Sequence, residues 1–186
     1  MRLLAVVLAM TLHAPGSARA ADEGDDYPHI VGQPALAWDV KEWLNSPPLT
    51  LQGLRGKAVL IRWWTGPGCV YCEASLPRLV RLHERYHDKG LVVIGFYHEK
   101  HRRPLPLSRV KELADGFGLK FPVAVDSGWM NLKRWWLDRK PPENLWTSAL
   151  FLIGPDGIVS YLKPGGSVTE EYAKEIEAQV RRALGL

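Results

Sequence analysis

Cys69 and Cys72 are the only cysteines in the chain, and two residues separate them. Thiols at that spacing can close a disulfide, exchange one with another molecule, or supply two ligands of a metal site. They follow the apolar run Ala58-Val59-Leu60-Ile61 and the turn-forming Gly66-Pro67-Gly68, and apolar residues at helical spacing come after them. That order reads as strand, glycine-rich turn, helix N-terminus. A thiolate in the first turn of a helix faces unpaired backbone N–H groups and the positive end of the helix dipole, both of which lower its pKa. The pattern therefore puts sulfur where it ionises easily.

A structural staple is one alternative, because the cysteine count is even. Closing so short a loop contributes only about 2 kcal/mol on the chain-entropy estimate, less than a bridge between distant segments would. A metal half-site is another, but no second C-x-x-C follows to complete a tetrahedral set.

The stretch Ile61 to Pro77 resembles the active site of the thioredoxin superfamily, and more narrowly that of the TlpA-like periplasmic thiol-disulfide oxidoreductases, or redoxins. In that family a strand ends in an aromatic-rich turn, C-x-x-C opens the next helix, and a proline follows the second cysteine by five residues, as Pro77 follows Cys72. Leu54-Arg55-Gly56-Lys57 and Leu91-Val92-Val93-Ile94-Gly95 also match the family's usual run. The resemblance covers roughly residues 50 to 165. It implies disulfide exchange with protein thiols or disulfides, an electron-donating membrane or periplasmic partner, and no cofactor beyond the redox-active pair. Cys69, nearer the helix start, is expected to attack, and Cys72, one turn further in, to resolve the mixed disulfide.

Two departures from the family pattern stand out. The family places a cis-proline in the loop before the first hairpin strand, where this chain has Ser148. A cis bond before a non-proline residue costs about 3 kcal/mol, so the Thr147–Ser148 peptide is expected to be trans. Many relatives also bury a carboxylate near the resolving cysteine, on the strand or three residues after the second cysteine. Trp63 and Ser75 hold those places here, and neither takes a proton. His98 is the candidate proton carrier, because an unperturbed imidazole titrates near neutrality. Thr147, Ser148 and Tyr71 are candidate substrate contacts, and Val70-Tyr71 is the dipeptide that tunes the potential.

The elements that must position these groups follow in order. Lys57 to Trp64 is apolar almost throughout, as a strand buried on both faces should be. Leu76, Leu79, Val80, Leu82 and Tyr86 share one helical face, and Gly90 closes that helix. Leu91 to Tyr97 is a second apolar strand, which a helical crossover makes the parallel neighbour of the first. Its C-terminal end, with His98, then shares one sheet edge with Cys69. The loop His98 to Pro106 is basic. Ser108 is expected to cap a helix to about Phe117, Phe121 to Val125 to be a short strand, and Asp126 or Ser127 to cap a short helix through Leu137. In that helix Trp129, Leu132 and Trp136 are expected in the core. Gly154-Pro155-Asp156-Gly157 marks a hairpin between Ser148–Ile153 and Ile158–Leu162, and Val168 to Leu184 is an amphipathic closing helix. Leu49 to Leu51 is expected as a short edge strand. The expected fold is α/β, a thioredoxin-like sandwich with a central mixed sheet flanked by helices and a helical insertion before the C-terminal hairpin.

Residues 1 to 20 read as a signal peptide, with Arg2, an apolar core from Leu3 to Leu12 and the A-x-A site Ala18-Arg19-Ala20. Acidic residues 21 to 35 read as a flexible leader, and residues 36 to 186 as one thioredoxin-like domain. The net charge of +4, from 24 basic against 20 acidic side chains, falls to +2 when Arg2 and Arg19 leave with the signal. That surplus is too small to argue for nucleic acid. A soluble, monomeric protein of the periplasm or cell exterior is expected, and export suits a redox-active pair.

Two other functions compete. A copper protein would hold Cu(I) with both thiolates and His98 or His101, soft sulfur suiting that ion. Copper chaperones on this fold usually space the cysteines by three, which argues against it. A peroxiredoxin needs P-x-x-x-[ST]-x-x-C, and Arg62 and Gly66 occupy its first two fixed places before Cys69.

Overall fold

A computed structural model of the chain describes residues 27–66, 68–100, 104–166 and 169–186. The signal peptide at 1–20 and His101, Arg102 and Arg103 of the basic loop lie outside the described residues.

Strand β2 (Ala58–Trp64) is buried at every position. It pairs in parallel with β3 (Leu91–Tyr97), from Ala58 opposite Leu91 to Trp64 opposite Tyr97. On its other side it pairs antiparallel with β5 (Ala149–Ile153). Both edges are hydrogen-bonded and both faces covered, which is why its sequence shows no polar alternation. Around it the sheet has the order β1-β4-β3-β2-β5-β6, with β1 at Trp43–Leu44, β4 at Val123–Val125 and β6 at Val159–Pro164.

Helix α1 (Val70–Tyr86) joins β2 to β3, and α2 (Leu107–Gly116) joins β3 to β4. A short helical segment, α3 (Met130–Leu132), runs into a π-turn at Lys133–Leu137 before β5. The closing helix is α4 (Glu170–Leu184), whose Thr169 side chain accepts the Tyr172 N–H as an N-cap.

Successive side chains on a strand point to opposite faces, so β2 feeds two cores. Leu60 and Trp64 pack with Cys72, Leu76 and Leu79 of α1 and with Ile176 and Val180 of α4. Val59, Ile61 and Trp63 pack with Leu132, Trp135 and Trp136 from the segment before β5. This is the thioredoxin-like sandwich, with the extra helical material where it was expected.

Locally the structure departs from the expected elements. Residues 27–35 are not a solvated leader: Ile30 is fully buried in the second core, Gly32 N–H donates to the Val159 carbonyl, and Pro34 bridges Ile158. One isoleucine docked against β6 left no periodicity to read. Leu49–Leu51 forms no strand but leads into a single helical turn at Gln52–Leu54, and the edge of the sheet is β1 instead. Helix α2 starts at Leu107 after Pro106, without a Ser108 side-chain cap. Pro106 presets the dihedral for that start and needs no donor there.

The second core is keyed by a buried carboxylate. Asp126 accepts from Trp63 Nε1 at 2.9 Å, Asn131 N at 2.8 Å, Asn131 Nδ2 at 3.0 Å and Leu132 N at 2.7 Å. Its sequence position suggested a cap, but its side chain does not cap the turn that follows it, and the N-cap of α3 is Trp129; the carboxylate instead reaches on to the Asn131 and Leu132 N–H groups and ties that segment to β2. Asp126→Ala strands those donors in the interior, where each unsatisfied group costs about 1 to 3 kcal/mol. The expected loss is at least 3 kcal/mol in urea unfolding at unchanged m-value, with Trp63 fluorescence altered.

Candidate active site

Cys69 is the N-cap of α1, and its Sγ accepts the Cys72 N–H at 3.2 Å while its carbonyl accepts the Cys72 and Glu73 N–H groups. The two sulfurs are bonded as a disulfide, with Cα atoms 5.2 Å apart. Gly68, which delivers the chain to the cap, has φ +82°, a conformation that L side chains rarely adopt. The sulfurs differ in access. Cys69 is partly exposed, whereas Cys72 is 3% exposed and sits in the first core. The Thr65 N–H lies 3.5 Å from Cys72 Sγ, a donor able to stabilise that sulfur as a thiolate once the bond opens.

Around Cys69 the surface is apolar. A shallow cleft is lined by Thr65, Gly66, Gly68, Cys69, Tyr71 and Lys100. Val70 is 66% exposed, Tyr71 46% and Trp146 43%, and the Tyr71 and Trp146 rings meet edge to face at 5.3 Å. Thr147 and Ser148 flank this rim. Lys100 Nζ donates to Thr147 Oγ1 at 2.9 Å, and the Ser148 carbonyl accepts the Gly165 N–H at 2.7 Å. The Thr147–Ser148 peptide is trans. Of the residues singled out from sequence, Tyr71 and Thr147 therefore stand at the mouth. Ser148 is held by backbone to the loop after β6.

His98 follows β3 at the edge shared with Cys69, as expected, and its N–H donates to the Trp64 carbonyl. Its environment is not that of a proton carrier. The ring is 1% exposed and packs edge to face on Trp129 at 4.9 Å. Burial, with Lys100 and Arg62 adding positive charge, pushes its pKa down to about 3. Sequence supplied the imidazole's ordinary pKa, and burial removes it.

The strand residue facing the cysteines also differs from expectation. Trp63 points into the second core, and Arg62 lies on the β2 face of Leu60 and Trp64 that packs on α1. Arg62 is 1% exposed, and Nη1 donates to the Gly165 carbonyl. A charged residue inside an otherwise apolar buried strand was the signal, and it was visible. A cation therefore lies where many relatives are expected to have a carboxylate. Ser75, the helix position, is buried beneath Cys72 without a hydrogen-bond partner.

His83 and His87 offer a second pair of potential metal ligands, in the letter pattern H-E-x-x-H at 83–87. His83 lies about 16 Å along α1 from Cys72, at 1.5 Å per residue, and His87 about 22 Å, just past the helix end. His87 is engaged by the His83 carbonyl and by Asp88. Among the described residues no three His, Cys, Asp or Glu side chains group to hold a metal.

The Redoxin family profile matches residues 30–180. Protein DipZ of Mycobacterium bovis is 32% identical over 144 residues, covering 72% of this chain but only 19% of that relative. Thiol-disulfide oxidoreductase ResA of Bacillus thuringiensis subsp. konkukian is 29% identical over 136 residues, covering 72% of this chain and 71% of its own. Among solved structures, a thioredoxin-like protein in its oxidised form superposes with a TM-score of 0.65 at 25% identity, over 85% of this chain and 97% of that one.

Burial of His98 makes stability pH-dependent in a defined window. Its folded pKa of about 3 lies below the ordinary 6.5, so between these values the unfolded chain binds more protons and stability falls as pH falls. Between pH 7 and pH 4.5 this group alone is expected to withdraw on the order of 2 kcal/mol, at 1.36 kcal/mol per pH unit. His98→Gln should flatten the profile by that amount in urea titrations at both pH values.

Proposed function

As the chain belongs to the Redoxin family, we propose that it is a thiol-disulfide oxidoreductase that exchanges disulfides with other proteins through Cys69 and Cys72. The observation that carries this reading is the bonded pair at the tip of α1, one sulfur reachable and the other enclosed. In the reducing direction the Cys69 thiolate attacks a client disulfide and releases one client thiolate. Cys72 then attacks Cys69 in the mixed disulfide and releases the second. Two electrons pass to the client, and the Cys69–Cys72 bond reforms. A thiol-based electron donor in the membrane or periplasm returns the pair to dithiol. The apolar rim of Val70, Tyr71 and Trp146 offers an unfolded client a surface next to the attacking sulfur.

Export belongs to the same reading. It rests on the leader pattern at 1–20 and on the oxidising compartment that the pair suits. No helix among the described residues is long and apolar enough to cross a membrane. The copper reading is not favoured. His98 is buried against Trp129 with its pKa pushed down, His101 lies outside the described residues, and the relatives above carry oxidoreductase and thioredoxin names.

Cys69→Ser is expected to lower turnover of a disulfide substrate at least a hundredfold. Cys72→Ser should instead accumulate a mixed disulfide visible on non-reducing gels. Full activity in Cys69→Ser would exclude the assignment.

A further inference from the structure

Behind the redox helix, between α1, α4 and the end of β2, lies a cavity of about 80 Å³. At roughly 10 to 15 Å³ of such volume per water, that is room for on the order of five waters or one small polyatomic ion. Arg62, Ser75 and Tyr172 line its inner wall. Each is buried, and Arg62 Nε and Nη2, Ser75 Oγ and Tyr172 Oη all lack a hydrogen-bond partner. Arg78, Arg81 and Arg85 line the outer part, and Glu177 is the only acidic residue of the lining.

The guanidinium geometry narrows the ligand. Nη1 is committed to the Gly165 carbonyl, which leaves Nε and Nη2 free. Those two N–H groups form one edge of the planar group and point the same way. Such a parallel fork matches two oxygens of one carboxylate or phosphate. Arginine does not shed its proton in proteins, so the charge stays even though burial presses its pKa down. An unbalanced buried ion costs a large share of a domain's net stability. A counter-charge in the cavity removes that cost, and the two hydroxyls can donate to it as well.

The Gly166 backbone runs close beside the guanidinium. A Cβ on Gly166 would stand 2.5 Å from Arg62 Nη2, so a side chain there would collide with the guanidinium.

We propose that this cavity binds a small oxyanion of the phosphate or carboxylate type, held bidentate by the Nε–Nη2 edge of Arg62 with hydroxyl donors from Ser75 and Tyr172. Neither Cys69 nor Cys72 lines this cavity.

The test uses the oxidised full-length mature chain. Thermal midpoints are followed in inorganic phosphate, sulfate and acetate, each against sodium chloride at matched ionic strength, and the Arg62 Nε–H resonance is followed by NMR. A saturable rise above the chloride control is expected, reaching about a hundredfold in the folding equilibrium at a hundred times Kd, with the Nε–H resonance shifting over the same titration. A stronger effect from phosphate or sulfate assigns an inorganic ion, and one from acetate an organic acid. Arg62→Met should abolish the rise. Should that variant fail to fold, Ser75→Ala with Tyr172→Phe keeps the charge and should weaken binding at least tenfold. Anions no better than chloride, or an unmoved Arg62 resonance, would overturn the proposal.

Discussion

The site depends on one strand being enclosed on every side. β2 has partners along both edges and a core on each face, so its C-terminal end is fixed against rotation and translation. The chain leaves it through a short turn, and Cys69 becomes the first cap of α1. A loop of sulfur hung from a mobile segment would not hold one thiol out and its partner in. Here the difference in access between Cys69 and Cys72 follows from where the strand stops and from one helical turn.

The two cores of β2 serve different ends. The face built from Val59, Ile61 and Trp63 is aromatic and dense, with Trp63, Phe96, Trp135 and Phe151 rings 4.9 to 5.9 Å apart in tilted and edge-on pairs. Within it the Asp126 carboxylate accepts from Trp63 of β2. The other face carries the polar irregularities, Arg62 and Ser75, beneath the redox helix. The cysteines and the buried cation thus lie on one face of the sheet and the dense aromatic core on the other, while β2, β3, β4 and β5 each send side chains to both.

The strand-helix-strand unit, the hairpin and the closing helix were legible in the sequence because unbroken apolar runs, helical spacing and turn glycines mark them. Gly90, left-handed at φ 100°, marks a place where a local rule and the tertiary structure agree. Where contacts are made by single residues across long separations, no period exists to find. Ile30 against β6 and the bridge from Pro34 to Ile158 are of that kind. His98 failed for a related reason: its residue type was informative, but its pKa is a property of the surrounding apolar shell and of Trp129.

Arg62 stands apart, as a lone charge inside an otherwise apolar buried strand. Alignment by counting back from Cys69 puts Trp63 in the place where relatives carry a carboxylate. In a strand a one-residue offset exchanges the two faces entirely, and the turn through Gly66 and Gly68 gives the chain the latitude to make that exchange. The residue that in fact faces the helix is a permanent cation. A carboxylate there could accept a proton from the resolving thiol, whereas a guanidinium can only stabilise its anion. Among the described residues the one buried carboxylate, Asp126, is committed to Trp63 and α3 on the opposite face of the sheet, so no buried acid there stands beside the resolving thiol.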